Sequence, residues 1–145
     1  MKLSRIRKLI FLHLQELPMK SRGWRSTVCK WGGVNVLCPK KTFVGEHVTF
    51  DTNFPEDITL EEGVRLTTGV CIVTHFMNSQ TGKYDRGKVL IKKKAYLGMN
   101  TLVVKPVTIG EGAIVGAGSV VTKDIPDYEV WAGNPAHFIK KREMI

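Results

Sequence analysis

Acidic residues are nearly absent from the first 41 positions of this 145-residue chain, where Glu16 stands alone against ten lysines and arginines. From residue 42 onward basic and acidic residues balance at twelve each, so the net charge of +9 belongs to the N-terminal segment. No groove of interleaved basic and aromatic residues accompanies that charge, which argues against nucleic acid as a partner. Cysteine is scarce: Cys29, Cys38 and Cys71 form neither a CxxC pair nor a Cys/His metal spacing. A disulfide framework and a metal centre are therefore not expected, and the thiols read as reduced in a cytoplasmic protein. Long apolar runs are also missing. The stretch Leu9–Leu12 is broken by His13 and Gln15 with no small-residue cleavage site after it. Nothing approaches the ~20 apolar residues of a membrane span, so a soluble chain is expected. A hydrophobic content of 43% with 24% charged residues excludes a disordered or collagen-like chain.

Period-two alternation is lacking as well, and a period of six stands in its place. Ile91, Leu97, Val103, Ile109, Val115 and Val121 recur at every sixth position. Six such hits in phase would arise by chance roughly once in a few thousand trials. Four places after each comes a small or branched residue: Ala95, Thr101, Val107, Ala113, Ser119 and Ile125. Gly98, Gly110 and Gly116 directly follow aliphatic residues, where a tight turn needs a residue without Cβ. The phase extends upstream through Leu60, Leu66 and Ile72, and more loosely through Cys38, Val44 and Phe50. Hexads of this kind predict an all-β solenoid, a left-handed parallel β-helix of about four coils stacked at ~4.8 Å, whose aliphatic residues point inward. Two breaks interrupt the register, a short one near 53–57 and a long one over 76–88.

The ends are predicted to cap the solenoid. Residues 3–17 gather Leu3, Ile6, Leu9, Ile10, Leu14 and Leu17 near one face of an amphipathic helix that Pro18 stops. Asn134–Pro135 reads as an N-cap opening a short basic C-terminal helix. The expected divisions are 1–35 for the basic helix and linker, 36–133 for the β-helix with loop 76–88, and 134–145 for the C-terminal helix.

The segment from Val107 to Pro126, with Ala132-Gly-Asn-Pro-Ala136 after it, resembles the hexapeptide-repeat acetyltransferases, and within them the sugar and polysaccharide O-acetyltransferases. The resemblance covers about residues 36–142. It implies acetyl transfer from acetyl-CoA to a sugar hydroxyl, without a metal, in a homotrimer whose active sites lie between subunits. His75, at the edge of the long loop, matches the family's catalytic base. Imidazole, with its ordinary pKa of ~6.5, suits proton removal from a hydroxyl at neutral pH. The backbone N–H of Met99 matches the family's oxyanion donor. For acetyl-CoA the resemblance implicates Tyr96, Gly98, Ala117, Thr122, Lys123, Pro135, His137 and Lys140; Tyr96 stands where the family has tryptophan. For the acceptor it implicates Asp51 and Asn53, with Tyr84 and Asp85 of the long loop.

Other readings stay open at this point. An amino-sugar N-acetyltransferase or a serine or xenobiotic acetyltransferase would use the same histidine. A metal-dependent carbonic anhydrase on this fold is disfavoured, because His47, His75 and His137 lack a close ligand pair. A non-catalytic β-helix docked on a membrane is the alternative from another class. The basic segment over 1–20 has two readings of its own. It either caps the solenoid near the acids Glu56, Asp57, Glu61 and Glu62 of a neighbour, or it makes a peripheral contact with anionic lipid.

Overall fold

The hexads become strands of two or three residues, each placing one aliphatic side chain inward. The structure, a computed structural model, describes residues 3–17 and 23–143. The first coil holds β1 (Asn35–Val36), β2 (Phe43–Val44) and β3 (Thr49–Phe50); the second holds β4 (Ile58–Leu60), β5 (Arg65–Leu66) and β6 (Cys71–Ile72). A hairpin of β7 (His75–Met77) and β8 (Tyr84–Arg86) then leaves the coil. The third coil is β9 (Val89–Ile91), β10 (Tyr96–Leu97) and β11 (Leu102–Val103), and the fourth is β12 (Thr108–Ile109), β13 (Ile114–Val115) and β14 (Val120–Val121).

Corresponding strands of successive coils pair in parallel, which makes three faces. Face one is β1, β4, β9 and β12; face two begins with β2, β5, β10 and β13; face three is β3, β6, β11 and β14. The result is a three-sided parallel solenoid. Leu60, Leu66, Ile72, Ile91, Leu97 and Ile109 are wholly buried along its axis. The small residues two places earlier, such as Ala95, Thr101, Ala113 and Ser119, are buried beside them. Val36, not Cys38, fills the first inward position, because a 3-10 turn at Pro39–Lys41 displaces the register there.

The corners turn through left-handed backbone at residues such as Gly69, Asn100 and Gly118. Gly98 has a different role, since it does not have a positive φ. A Cβ there would lie 2.5 Å from the backbone nitrogen of Ala117 one coil above. Close approach of two coils, rather than turn geometry, excludes a side chain at this position.

Both ends differ from expectation. Helix α1 (Leu3–Leu14) forms, and Pro18 lies outside the described residues. The segment read as a linker contains a second helix, α2 (Trp24–Trp31), whose Val28 and Cys29 are buried. Helix α1 turns its mixed face inward. Leu12 is buried, as is Gln15 in the turn that follows; Gln15 donates to the Val48 carbonyl and accepts from the Cys29 thiol. On the same side Lys8 pairs with Glu56 at 2.7 Å and Arg5 donates to Asn53. The acids that attract the basic helix therefore belong to its own chain. Ile6, Ile10 and Leu17 are left facing outward.

The C-terminal helix is replaced by strand. After β15 (Glu129–Ala132) the chain turns at a cis Asn134–Pro135 peptide and returns as β16 (His137–Lys141), antiparallel to β15 on face two. The backbone here is claimed by the last coil: Val120 donates to the Gly133 carbonyl, and Ala136 donates back to Val120. Those partners, which no local propensity encodes, favour an extended return over a helix.

Candidate active site

The first register break holds a buried carboxylate. Asp51 follows β3 and is 6% exposed. One oxygen, Oδ1, accepts from the backbone N–H groups of Asn53 and Phe54 at 2.9 and 3.3 Å. The other, Oδ2, accepts from the N–H and hydroxyl of Thr74 at 3.0 and 2.8 Å, and lies 2.5 Å from Nδ1 of His75. Burial alone would raise this carboxyl. The bonds from Thr74, the His75 ring and Asn53 outweigh it and hold the group below the ordinary carboxylate range. Because the ionised carboxylate can only accept, Nδ1 of His75 carries a proton, and in the neutral ring Nε2 keeps its lone pair.

His75 begins β7, where the second coil gives way to the hairpin. Its ring is flanked by Phe54, edge-on at 5.6 Å, and by Tyr84 at 5.8 Å. Arg86, the β8 partner of His75, lies over the Phe54 ring at 3.8 Å and donates to Asp57 at 2.5 Å, with Glu56 at 3.6 Å. The hairpin is thus pinned to the break that holds Asp51. Chemically the arrangement is an oriented imidazole with an available nitrogen, walled by two aromatic rings.

The residues named from the sequence fall into distinct groups. Asp51, Asn53 and His75 share the corner between faces three and one with Thr122 and Lys123, which follow the fourth coil. Lys123 is exposed. Asn53, expected at the acceptor, instead accepts from Arg5 through its side chain. Asp51, also expected there, has both oxygens occupied. In the hairpin, Tyr84 projects with 68% exposure, while Asp85 accepts from Asn78. Gly98, Met99 and Ala117 lie at a different corner, between faces two and three, with Tyr96 beside them on face two. Among the described residues the N–H groups of Met99 and Ala117 donate to no protein acceptor. Pro135 lies in the turn over the last coil, and His137 and Lys140 are exposed on β16. At ~3.3 Å per residue, a face built on a six-residue repeat is at most about 20 Å wide. Met99 and His75 therefore stand at different corners of the solenoid, with face three between them.

Sequence reasoning missed Phe54, Thr74 and the bracing role of Arg86. An aromatic residue three places after Asp51, inside a register break, was the available signal for the first. Among the described residues no group of three or more histidines, cysteines or acids could hold a metal.

Comparison with known proteins bears on the repeat and the fold. The profile of the family described as Bacterial transferase hexapeptide (six repeats) matches residues 88–123, the third and fourth coils. Those two coils carry the hexapeptide repeat of the bacterial transferases. A Schizosaccharomyces pombe protein provisionally named an acetyltransferase is 38% identical over 117 residues, which is 77% of this chain and 55% of that protein. The chain spans just over half the length of such curated relatives. A maltose O-acetyltransferase of Clostridium difficile superposes with a TM-score of 0.72 at 23% identity, over 97% of this chain and 87% of that one. A hexapeptide-repeat acetyltransferase of Vibrio cholerae, crystallised with acetyl coenzyme A, has the same TM-score at 16% identity and covers 97% and 88%. At these identities the two structures speak to the fold alone.

Proposed function

We propose that this protein transfers an acetyl group from acetyl-CoA to a hydroxyl of a sugar or polysaccharide precursor, on a solenoid of left-handed coils. The observation that carries the reading is the Asp51–His75 pair. Its hydrogen bond fixes the ring and the tautomer, so Nε2 is positioned to take a proton from an acceptor hydroxyl as that oxygen attacks. The same nitrogen then returns the proton to the departing sulfur. Acetyl-CoA, when bound, supplies the acyl group as an activated thioester. The residues present fit such a co-substrate: Lys123 offers charge to phosphate, and unpaired corner N–H groups at Met99 and Ala117 offer donors to a pantetheine arm and to the acyl oxygen. Phe54 and Tyr84 flank His75 as apolar walls for a sugar ring.

The separation of Met99 from His75 supports a site shared between copies, with the oxyanion donor supplied by a neighbour. Face three, which joins the two corners, supports the same reading. Its outward column of Thr49, Cys71, Leu102 and Val120 carries no charge, as suits the interior of a closed trimer.

Release of free thiol from acetyl-CoA in the presence of a panel of sugars and amino sugars tests the proposal. Thiol release that depends on a hydroxyl acceptor, and falls 10²–10⁴-fold in His75→Ala, is the expected result. Near-full turnover in that variant contradicts the mechanism, and turnover with amines alone contradicts O-acetylation.

A further inference from the structure

The face of α1 that faces away from the solenoid is apolar. Ile6 and Ile10 of the helix and Leu17 of the turn that follows it are between 38% and 53% exposed, and Leu14 lies between Ile10 and Leu17. Phe11 extends the strip to α2 through an edge contact with Trp31, itself 50% exposed. Arg7 and Lys30 are exposed in the same two helices and have no carboxylate partner among the described residues. Helix α1 contains no acid.

We propose that this surface docks on an anionic lipid bilayer, with α1 lying parallel to the membrane plane. Apolar side chains rimmed by cations and an exposed tryptophan match the interface between acyl chains and anionic headgroups. At 1.5 Å per residue the twelve-residue helix is about 18 Å long, too short to span a bilayer. Among the described residues no helix is long and apolar enough to cross one. The solenoid does not neutralise the remaining cations, because Glu46, Glu56 and Glu62 are already paired with Arg25, Lys8 and Lys41. A second copy packed on this face would bring four uncompensated cations, Arg7 and Lys30 of each copy, into one interface with Glu16 as the one acid of α1 and its following turn. A lipid surface supplies the missing negative charge. The inference does not depend on acyl transfer.

Co-sedimentation of the full chain with vesicles tests it. One set is phosphatidylcholine alone, and the other contains about a third phosphatidylserine. Pelleting with the anionic vesicles well above the neutral ones is the expected result. Replacing Ile10 and Leu17 together by glutamate lowers binding on the order of tenfold or more. Arg7→Gln and Lys30→Gln lower it by about fivefold each. Circular dichroism and melting temperature stay unchanged in all of these, since the side chains point outward. Equal pelleting with both vesicle types, or undiminished pelleting of the glutamate variant, overturns the proposal. So does a glutamate variant whose oligomeric mass falls while its lipid binding holds, which would assign the face to contact between copies.

Discussion

At the scale of single residues, Asp51 does more than its position in a loop suggests. Buried and held by five hydrogen bonds, it fixes both the orientation and the tautomer of His75. Asp51→Asn keeps the shape but offers an amide where Thr74 and His75 need an acceptor, and it permits the wrong imidazole tautomer. The variant is expected to lose 10²–10⁴-fold in kcat with a smaller change in KM, as steady-state kinetics would reveal. The same carboxylate contributes to stability. Its pKa is lowered in the folded state, so the contribution is fully present above the ordinary carboxylate value near 3.9 and is lost as pH falls through the native value. Thermal melts followed from neutral pH down to about pH 3 should show a shallower decline in Asp51→Asn than in the native chain. Cys29 makes a contrasting case. Burial, above all, pushes its thiol up to about 12, and its S–H is spent on Gln15. Alkylation of the folded protein near pH 8 should leave Cys29 unmodified while denatured protein reacts fully, as peptide mass mapping would resolve.

At the scale of elements, the coils were legible because the inward position repeats without regard to context. Every hexad from Ile91 to Val121 places its aliphatic residue in the core. Truncation at the middle of that stack, Leu97→Ala, is expected to cost about 2–5 kcal/mol in urea unfolding, because neighbouring coils hold the cavity open. The terminal elements were less legible, for reasons of partnership. The pattern of α1 identified its apolar side chains but could not say that Asn53 and Glu56 would draw Arg5 and Lys8 inward and reverse the helix. Likewise Asn134–Pro135 resembles a helix start only while the carbonyl of Val120, which engages Ala136, is out of view. The candidate site divides in the same way. His75 was singled out by its match to the histidine of the hexapeptide-repeat acetyltransferases, since its place at the end of a regular coil alone does not distinguish it from a surface histidine. The tie from Asp51 to His75, 24 positions apart in sequence, depends on two coils stacking. The brace of Arg86 on Asp57 and Phe54 depends on where the hairpin folds. Removing it with Arg86→Ala is expected to lower kcat/KM about tenfold and to lower the melting temperature as well, since the buried Asp57 carboxylate loses its partner.

At the scale of the whole molecule, the charge excess noted in the sequence is partly an internal device and partly a surface one. Lys8, Arg25 and Lys41 bind the N-terminal segment to acids of the solenoid, while Arg7, Lys30 and Lys40 are exposed without a carboxylate partner among the described residues. The proposed mechanism makes its own demand at this scale, because His75, the proposed base, and Met99, the proposed oxyanion donor, occupy different corners of the prism. Subunit complementation is the most direct measurement of that claim. His75→Ala removes the base, and Met99→Pro removes the backbone donor; each is expected to be inactive alone while keeping its fold by circular dichroism. Mixed trimers assembled from equal amounts of the two should recover activity in thiol release, with about a quarter of sites pairing an intact His75 with an intact Met99 from the neighbour. Mixed trimers that stay as inactive as either parent, or a Met99→Pro protein that is fully active alone, would contradict a site completed between copies.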